Sequence, residues 1–512
     1  MSSLAAKIGQ LMIVGFEGLA PPPRILAWLA RGRIGGIALF ARNIESPAQV
    51  RRLIAECRAA AEQPILVSVD QEGGAVARLR NGFSESPGAM ALGAGGDRQR
   101  AEDIAFMLGS EMAAVGVNWN FAPVADIARQ SGNPSVGTRS VGRDPRLVSE
   151  MVVAQIRGFQ RSGVAATVKH FPGLGNTVVD THDGPASVRG SLSYLNDEDL
   201  HPFRKAIAAD VGFVMLTHVL YEELDGEFPA TLSPRIVDGL LRQELGYHGA
   251  VCTDCMEMKA ITDAFGAGES AVLALQAGVD MVLFSHTRAA QEEAYRALQH
   301  AAETGRLSAE RINQSMSRVQ ELKSRFALDK APPLEVVGCE AHRSLAGEAA
   351  RAGTVRVTQG SALPLPASAE HVALIEFSSQ RITGGGAAHD RSRIAAFLSN
   401  RLPTLASHIV DPAADFAANC EALSGVWTRK GIVILVTRNA HMQPAQLRLA
   451  RFICDRAQAV VLICIGNPYD AGEITGADSV ICTMGDSVPS LEAAVEALCG
   501  DYQPGGKLTV EI

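Results

Sequence analysis

The chain has 512 residues, with 47 Lys and Arg against 55 Asp and Glu, so its formal net charge is −8 at pH 7. Affinity for a phosphate backbone rests on clustered basic charge, and this balance excludes a general nucleic-acid binder. The length predicts two domains, or three small ones, each with its own core, and 47% hydrophobic with 20% charged residues excludes long disordered tracts. Met1 to Gly18 carries one lysine and a short apolar run interrupted by Gln10, which reads as a mature cytosolic start without leader or membrane span. The nine cysteines, mostly in apolar runs, suit buried reduced thiols rather than a disulfide framework. Cys252 and Cys255 form a lone C-x-x-C with no second pair or nearby His, so no metal is expected.

Up to about residue 330, short apolar or β-branched runs alternate with longer amphipathic stretches. Strands are predicted at Leu11–Phe16, Gly36–Phe40, Ile65–Asp70, Trp119–Val124, Ala165–His170, Phe213–Val219, Ala250–Asp254 and Met281–Phe284. Helices are predicted between most of them, at Pro47–Ala61, Arg98–Val115, Pro145–Ser162, Pro202–Ala208, Pro234–Leu245 and Gly268–Ala277. Such alternation fits a (β/α)8 barrel of the TIM type better than a doubly wound sheet, although the first and fourth units are irregular. In such a barrel the polar residues that punctuate the strand ends, Asp70, Lys169, His170, His218, Asp254 and His286, face the active-site end.

A polar helix predicted over Ser308–Phe326 gives way to Ala327 and a double proline, Pro332-Pro333, which stops helix and makes a semi-rigid linker. The predicted organisation is a catalytic barrel over 1–330, a linker over 331–340 and a smaller α/β sandwich over 341–512. In that sandwich strands are predicted at Val372–Phe377, Ile432–Val436, Val460–Ile465 and Ser479–Thr483, with helices at Asp390–Asn400 and Leu491–Leu498. The closing Gly505–Ile512 reads as an edge strand.

Four segments carry chemistry. The first, Lys169-His-Phe-Pro-Gly-Leu-Gly-Asn-Thr-Val-Val-Asp-Thr-His182, sets two basic or imidazole groups at a strand end and an Asp-x-His pair on a glycine-rich loop. Such a loop can swing over a substrate, and Asp180 can orient and charge-stabilise His182 as a general acid. The second, around Asp254, aims a carboxylate from a rigid strand into the barrel mouth, where it can act as a nucleophile on an acetal. The third is Asp70-Gln-Glu-Gly-Gly with Arg78, and the fourth Asn133-Pro-Ser-Val-Gly-Thr-Arg139. Singly, each acid is as compatible with a helix cap or ion pair, and each His with a hydrogen-bonded structural role. His218 and His286 read as structural, Glu72 and Asp126 as ion-pair or capping partners, and Glu257 as structural. Metal binding by Asp180, His182 and His170 lacks the i,i+4 His spacing or Cys clustering of a convincing site.

Together the four segments resemble glycoside hydrolase family 3, and within it the β-N-acetylglucosaminidase branch. The D-Q-E-G-G pattern is Asp70 to Gly74 with Arg78 beyond it, K-H-F-P-G-x-G is Lys169 to Gly175, and the branch's D-[ST]-H is Asp180-Thr181-His182. T/S-D-x-x-x-M is Thr253-Asp254 with Met258, N-P-x-x-G-x-R-S is Asn133 to Ser140, and Leu232-Ser-Pro, Leu245-Gly-Tyr and Pro504-Gly-Gly-Lys-Leu fit as well. The resemblance implies that Asp254 is the nucleophile, His182 the acid/base and Asp180 its partner, with Asp70, Arg78, Arg139, Lys169 and His170 holding the sugar. Leu174, Asn176 and Ala75 depart from the usual family residues His, Asp and Arg.

The activity implied by the resemblance is that of a retaining exo-β-N-acetylglucosaminidase acting on a small carbohydrate, with muropeptide fragments among the expected substrates in cytoplasmic cell-wall recycling. The resemblance implies no metal or organic cofactor; the charge balance argues against a nucleic-acid partner and the hydropathy against a membrane partner, and either a monomer or a homodimer is expected. The competing expectations are a phosphorylase, in which phosphate replaces water, a β-glucosidase or xylosidase of the same family, and a non-catalytic sugar-binding protein.

Overall fold

The computed structural model describes residues 4–180, 184–189, 195–366, 372–378, 393–403, 405–427 and 431–512, with 196, 197 and 427 described by backbone alone. Eight strands form the first sheet: β1 Met12–Val14, β2 Gly36–Leu39, β3 Leu66–Val69, β4 Trp119–Asn120, β5 Thr167–Phe171, β6 Phe213–Leu216, β7 Ala250–Cys255 and β8 Met281–Phe284. They are parallel and lie in the order β4-β3-β2-β1-β8-β7-β6-β5, which is chain order around a ring. Parallel bridges Trp119↔Ala165 and Val124↔Lys169 close the gap between β4 and β5. The (β/α)8 barrel expected from the alternation is therefore what forms, and each strand falls on its predicted run.

The strands read as continuous apolar runs because the barrel interior covers one face and the helices the other. Trp119 fills the interior: its ring stacks on Phe213 with centroids 3.9 Å apart, and its Nε1 donates to Thr167 Oγ1 at 2.7 Å. The helices start where the sequence carries caps. Ser46, Asp97, Asp144, Thr287 and Ser308 each accept a backbone N–H of the following first turn, and Pro47 and Pro145 occupy its first position. The helix predicted over Gly268–Ala277 starts earlier, at Lys259, because two helical pieces join across a bend at Gly266.

The second sheet has six strands: β9 Val355–Thr358, β10 Val372–Phe377, β11 Ala406–Val410, β12 Ile432–Thr437, β13 Ala459–Cys464 and β14 Ser479–Cys482. Their order is β9-β14-β13-β12-β10-β11, with only the β9/β14 pair antiparallel. Two apolar clusters lie on its faces, one around Leu435, Leu462 and Ile453, the other around Ile434, Ile463 and Leu498. β9 and β11 have no counterpart among the predicted strands: both are sheet-edge strands with partly exposed residues, so their apolar signal is weak.

The tail corrects an expectation. Gly505–Ile512 is not an edge strand. It runs as irregular chain between the two sheets' domains, with Gly506 N donating to Thr354 O at 3.1 Å, Lys507 N to Ala94 O at 2.9 Å, and Thr509 O accepting from Arg143 N at 2.9 Å. Its apolar residues serve a junction: Val510 is buried in the second domain's core cluster. Strand-like composition cannot distinguish pairing with a sheet from pairing with loops and helix ends.

Candidate active site

The polar residues at the C-terminal ends of the barrel strands converge. Asp70 follows β3, and the chain then turns through a tight antiparallel ribbon, Gln71–Gly73 against Val76–Ala77, that returns Arg78 beside it. Arg78 Nη2 lies 3.6 Å from Asp70 Oδ2, and Gln71 Oε1 accepts the N–H groups of Arg78 and Leu79, fixing the turn. From β5, Lys169 Nζ donates to Asp70 Oδ1 at 2.9 Å and to Glu72 Oε1 at 2.7 Å. Arg139 reaches the same Glu72 as a fork, Nε to Oε2 at 2.9 Å and Nη2 to Oε1 at 2.8 Å.

Burial alone would raise the Glu72 carboxyl, but the Arg139 guanidinium and the Lys169 ammonium pull it well below the usual carboxylate range. Burial acts against the charge of Lys169 and Arg139 as well. Asp70 and Glu72 outweigh it at Lys169, and Glu72 outweighs it at Arg139, so both are held above their ordinary values. All three groups are thus charged throughout the pH range in which an enzyme works, in fixed geometry.

His170 joins this cluster to Asp254. Its Nδ1 lies 2.6 Å from Asp126 Oδ2, which leaves Nε2 facing Arg139 Nη2 at 3.4 Å and Asp254 Oδ2 at 4.0 Å. With Nδ1 donating to the carboxylate, Nε2 is left facing the guanidinium, so both nitrogens are engaged. Asp254 sits near the end of β7 with its side chain about a quarter exposed (26%) and Oδ1 accepting from Cys255 N at 2.7 Å. A carboxylate aimed from a strand end, open on one side and flanked by fixed cations and an imidazole, can attack an electrophilic carbon held by the polar cluster.

Asp180 is buried, and its carbonyl accepts from Gly184 N. His182 lies outside the described residues. The loop leading to them is anchored in several places. Asp126 Oδ1 accepts from Leu174 N at 2.7 Å, Asn133 Nδ2 donates to the carbonyls of Leu174 and Gly175, and the Tyr221 hydroxyl donates to Gly173 O. At Gly175 an added Cβ would fall 1.9 Å from Ile127 O, so only glycine fits this approach.

Two of the three departures from the family pattern acquire a reason here. Leu174 is buried in the apolar core. Asn176 Nδ2 donates to Asp199 Oδ2 at 3.1 Å, while Arg129 Nε holds Asp199 Oδ1. Burial pushes Asp199 up to about 6 against the pull of Arg129, and an aspartate at 176 would set carboxylate against carboxylate.

Of the eight residues singled out in the sequence, Asp70, Arg78, Arg139, Lys169, His170 and Asp254 gather in one mouth, Asp180 lies at the start of the loop beside it, and His182 is not described. Glu72 and Asp126, read as ion-pair or capping residues, are both engaged in that way, and they also orient Arg139, Lys169 and His170. His218 is buried, its Nε2 donating to Cys255 O at 3.0 Å and Nδ1 2.7 Å from Thr231 Oγ1, a structural role. Glu257 accepts the N–H groups of His286 and Thr287 and braces the loop after β8. Burial pushes the Cys255 thiol up to about 12. Asp199 and Arg129 had no signal in the sequence, because nothing local links 129, 176 and 199.

Residues 3–322 match the glycosyl hydrolase family 3 N terminal domain. A beta-hexosaminidase A of Pseudoalteromonas piscicida is 35% identical over 384 residues, 69% of this chain and 64% of that protein, so this chain spans somewhat under two thirds of its length. A beta-hexosaminidase of Stenotrophomonas maltophilia is 40% identical over 288 residues, covering 55% of this chain and 85% of that protein. The structure of a glycoside hydrolase family 3 beta-N-acetylglucosaminidase from Paenibacillus sp. str. FPU-7 superposes with a TM-score of 0.92 at 34% identity, over 100% of this chain and 99% of that one. With the family's domain matched over more than half of the sequence and its barrel formed by those same residues, the chain belongs to glycosyl hydrolase family 3.

Proposed function

We propose that the protein is a retaining β-N-acetylglucosaminidase that removes terminal β-linked N-acetylglucosamine, with Asp254 as nucleophile and His182, partnered by Asp180, as acid/base. The observation that carries this reading is the partly open Asp254 carboxylate, 4.0 Å from His170 Nε2 and beside the largely buried Arg139–Glu72–Lys169–Asp70 array. The names and matched lengths of the relatives support the hexosaminide as substrate.

In this mechanism the sugar hydroxyls and amide carbonyl are held by Asp70, Arg78, Arg139, Lys169 and His170 through charge-assisted hydrogen bonds. An Asp254 oxygen attacks the anomeric carbon as the glycosidic C–O bond breaks, and His182 gives its proton to the departing oxygen. Water, deprotonated by His182, then attacks the anomeric carbon of the ester, freeing the sugar with retained configuration and Asp254 as carboxylate. Imidazole suits this role because its ordinary range already lies near neutral pH. We assign the natural substrates to β-N-acetylglucosaminides of cell-wall fragments, muropeptides included, handled in the cytoplasm by a monomer or homodimer. The catalytic unit is assigned to 1–330, the linker to 331–340 and the second domain to 341–512. Among the described residues, no helix is long and apolar enough to cross a membrane.

The test is turnover of an aryl β-N-acetylglucosaminide by the wild type and by Asp254→Asn, in buffers with and without inorganic phosphate. The expected result is hydrolysis independent of phosphate and a loss of about a thousandfold or more in kcat for the variant. Unchanged turnover by Asp254→Asn would overturn the assignment of the nucleophile. Phosphate-dependent release of sugar 1-phosphate would make the enzyme a phosphorylase, and turnover of the aryl glucoside alone would make it a glucosidase.

A further inference from the structure

Among the described residues, one loop joins the second domain to Arg139. Residues 131–140 leave the barrel after β4, carry Arg139 into the mouth, and are tied by hydrogen bonds at two points and packed against at a third. The middle point lies within the barrel: Asn133 Oδ1 accepts from Ser135 N and Val136 N at 2.9 Å, while its Nδ2 donates to the carbonyls of Leu174 and Gly175 on the loop that leads to Asp180. The two outer points belong to the second domain. His441 Nε2 donates to Ser131 O at 3.1 Å, while its Nδ1 lies 2.7 Å from Oδ1 of the fully buried Asp470, which also accepts from His441 N at 3.0 Å. Asn467, itself buried, lies over Gly137: a Cβ there would fall 2.9 Å from Asn467 Oδ1 and 3.0 Å from its Nδ2. Gly137 also has φ +44, so both its conformation and this contact demand glycine. Two residues on, Arg139 Nη1 donates to Ser135 O, closing the loop on itself before the guanidinium reaches Glu72.

We propose that His441, held by Asp470, and Asn467 are positioning residues for the barrel's sugar site, acting through loop 131–140 on Arg139 and, through Asn133, on the loop that leads to Asp180. This rests on the reading of Arg139 as a sugar-holding residue. It gives the second domain a task in catalysis. An imidazole clamped between a buried carboxylate and a carbonyl is a rigid strut, and guanidinium forks tolerate little displacement before their paired bonds weaken.

The experiment uses the full-length chain with His441→Ala, Asn467→Ala and His441→Gln, the last keeping an amide donor near the position of Nε2. Amide hydrogen exchange over 131–140 and the kinetics on the aryl β-N-acetylglucosaminide are read together. Both alanine variants are expected to exchange faster in 131–140 and to raise KM about fivefold or more, with kcat within about twofold of the wild type. His441→Gln is expected to recover most of both effects. Unchanged exchange in 131–140, or a KM unchanged in both alanine variants, would overturn the proposal. So would a loss confined to thermal stability, with exchange rising across the second domain and not in the loop. A wild type inactive on the hexosaminide would fault the activity assignment instead, and the exchange measurement alone would then decide the role of the two side chains.

Discussion

Two largely buried charge clusters occupy opposite ends of the same barrel, and they are built differently. At the N-terminal end, Asp280 just before β8 is fully buried and accepts from Arg242 Nη2 at 2.6 Å, Arg311 Nη2 at 2.8 Å, Arg318 Nη1 at 3.1 Å, Ser315 Oγ at 2.7 Å and Val251 N at 3.0 Å. Burial would raise its carboxyl, but the three guanidiniums and Ser315 hold it below the usual range. Its oxygens are saturated by groups that tie helices to strands. At the C-terminal end the charges alternate, Asp70, Lys169, Glu72, Arg139, and the array stops at Asp254, whose side chain is about a quarter exposed. The difference shows how one fold separates holding from acting: a carboxylate surrounded on all sides stabilises, and one left with an open face beside fixed charges can react.

The contrast between the two ends is broken most severely at its extremes. Asp254→Asn should abolish nearly all turnover while its melting temperature stays close to that of the wild type, because the amide keeps the shape and the bond from Cys255 N. Asp280→Ala should do the opposite. It leaves three partly buried guanidiniums without their shared buried carboxylate and is expected to lower unfolding free energy by about 3 kcal/mol, read by denaturant titration, with KM of the folded fraction unchanged. Glu72→Gln probes the middle case, an ion-paired residue inside the reactive end. With one charge gone, Arg139 and Lys169 lose their shared anchor, so KM should rise on the order of tenfold with a modest loss of stability.

The smallest expected effect is at Lys323, also at the N-terminal end, where Nζ donates to Gln10 Oε1 and burial brings the ammonium down to about 7. The unfolded chain keeps the ordinary value of 10.5, so between these two pH values the unfolded state holds more protons and stability rises with pH. The penalty is complete below about 7. Lys323→Met should therefore be more stable than the wild type at pH 7 by about 1 kcal/mol, the lost bond to Gln10 offsetting part of the gain. The gap should shrink by pH 9 in parallel thermal melts. A gap that does not change with pH would mean that the lysine keeps the unfolded chain's value and stays charged in the fold over this range.

Particular elements explain how much of the fold and the site is legible in the chain. The eight barrel strands are legible because burial on both faces imposes apolar runs, and the helices because Ser46, Asp97, Asp144 and Ser308 cap them where sequence rules require. The site residues are legible as a set because four motifs, far apart in the chain, place polar groups at strand ends. The tail is not, because Leu508 to Ile512 has strand composition but finds its partners across the domain junction.

The sequence by itself determined the barrel, the family resemblance and the residues of the mouth, since apolar periodicity and motif spacing are local properties. Only the tertiary structure decided how those residues are paired. Glu72 is shared by Lys169 and Arg139 across 97 and 67 positions, Asp199 meets Arg129 and Asn176, and His441 meets Ser131 across 310. Such pairings depend on which strand ends and loops the closed ring brings within hydrogen-bonding distance, and no local pattern in the chain encodes that distance.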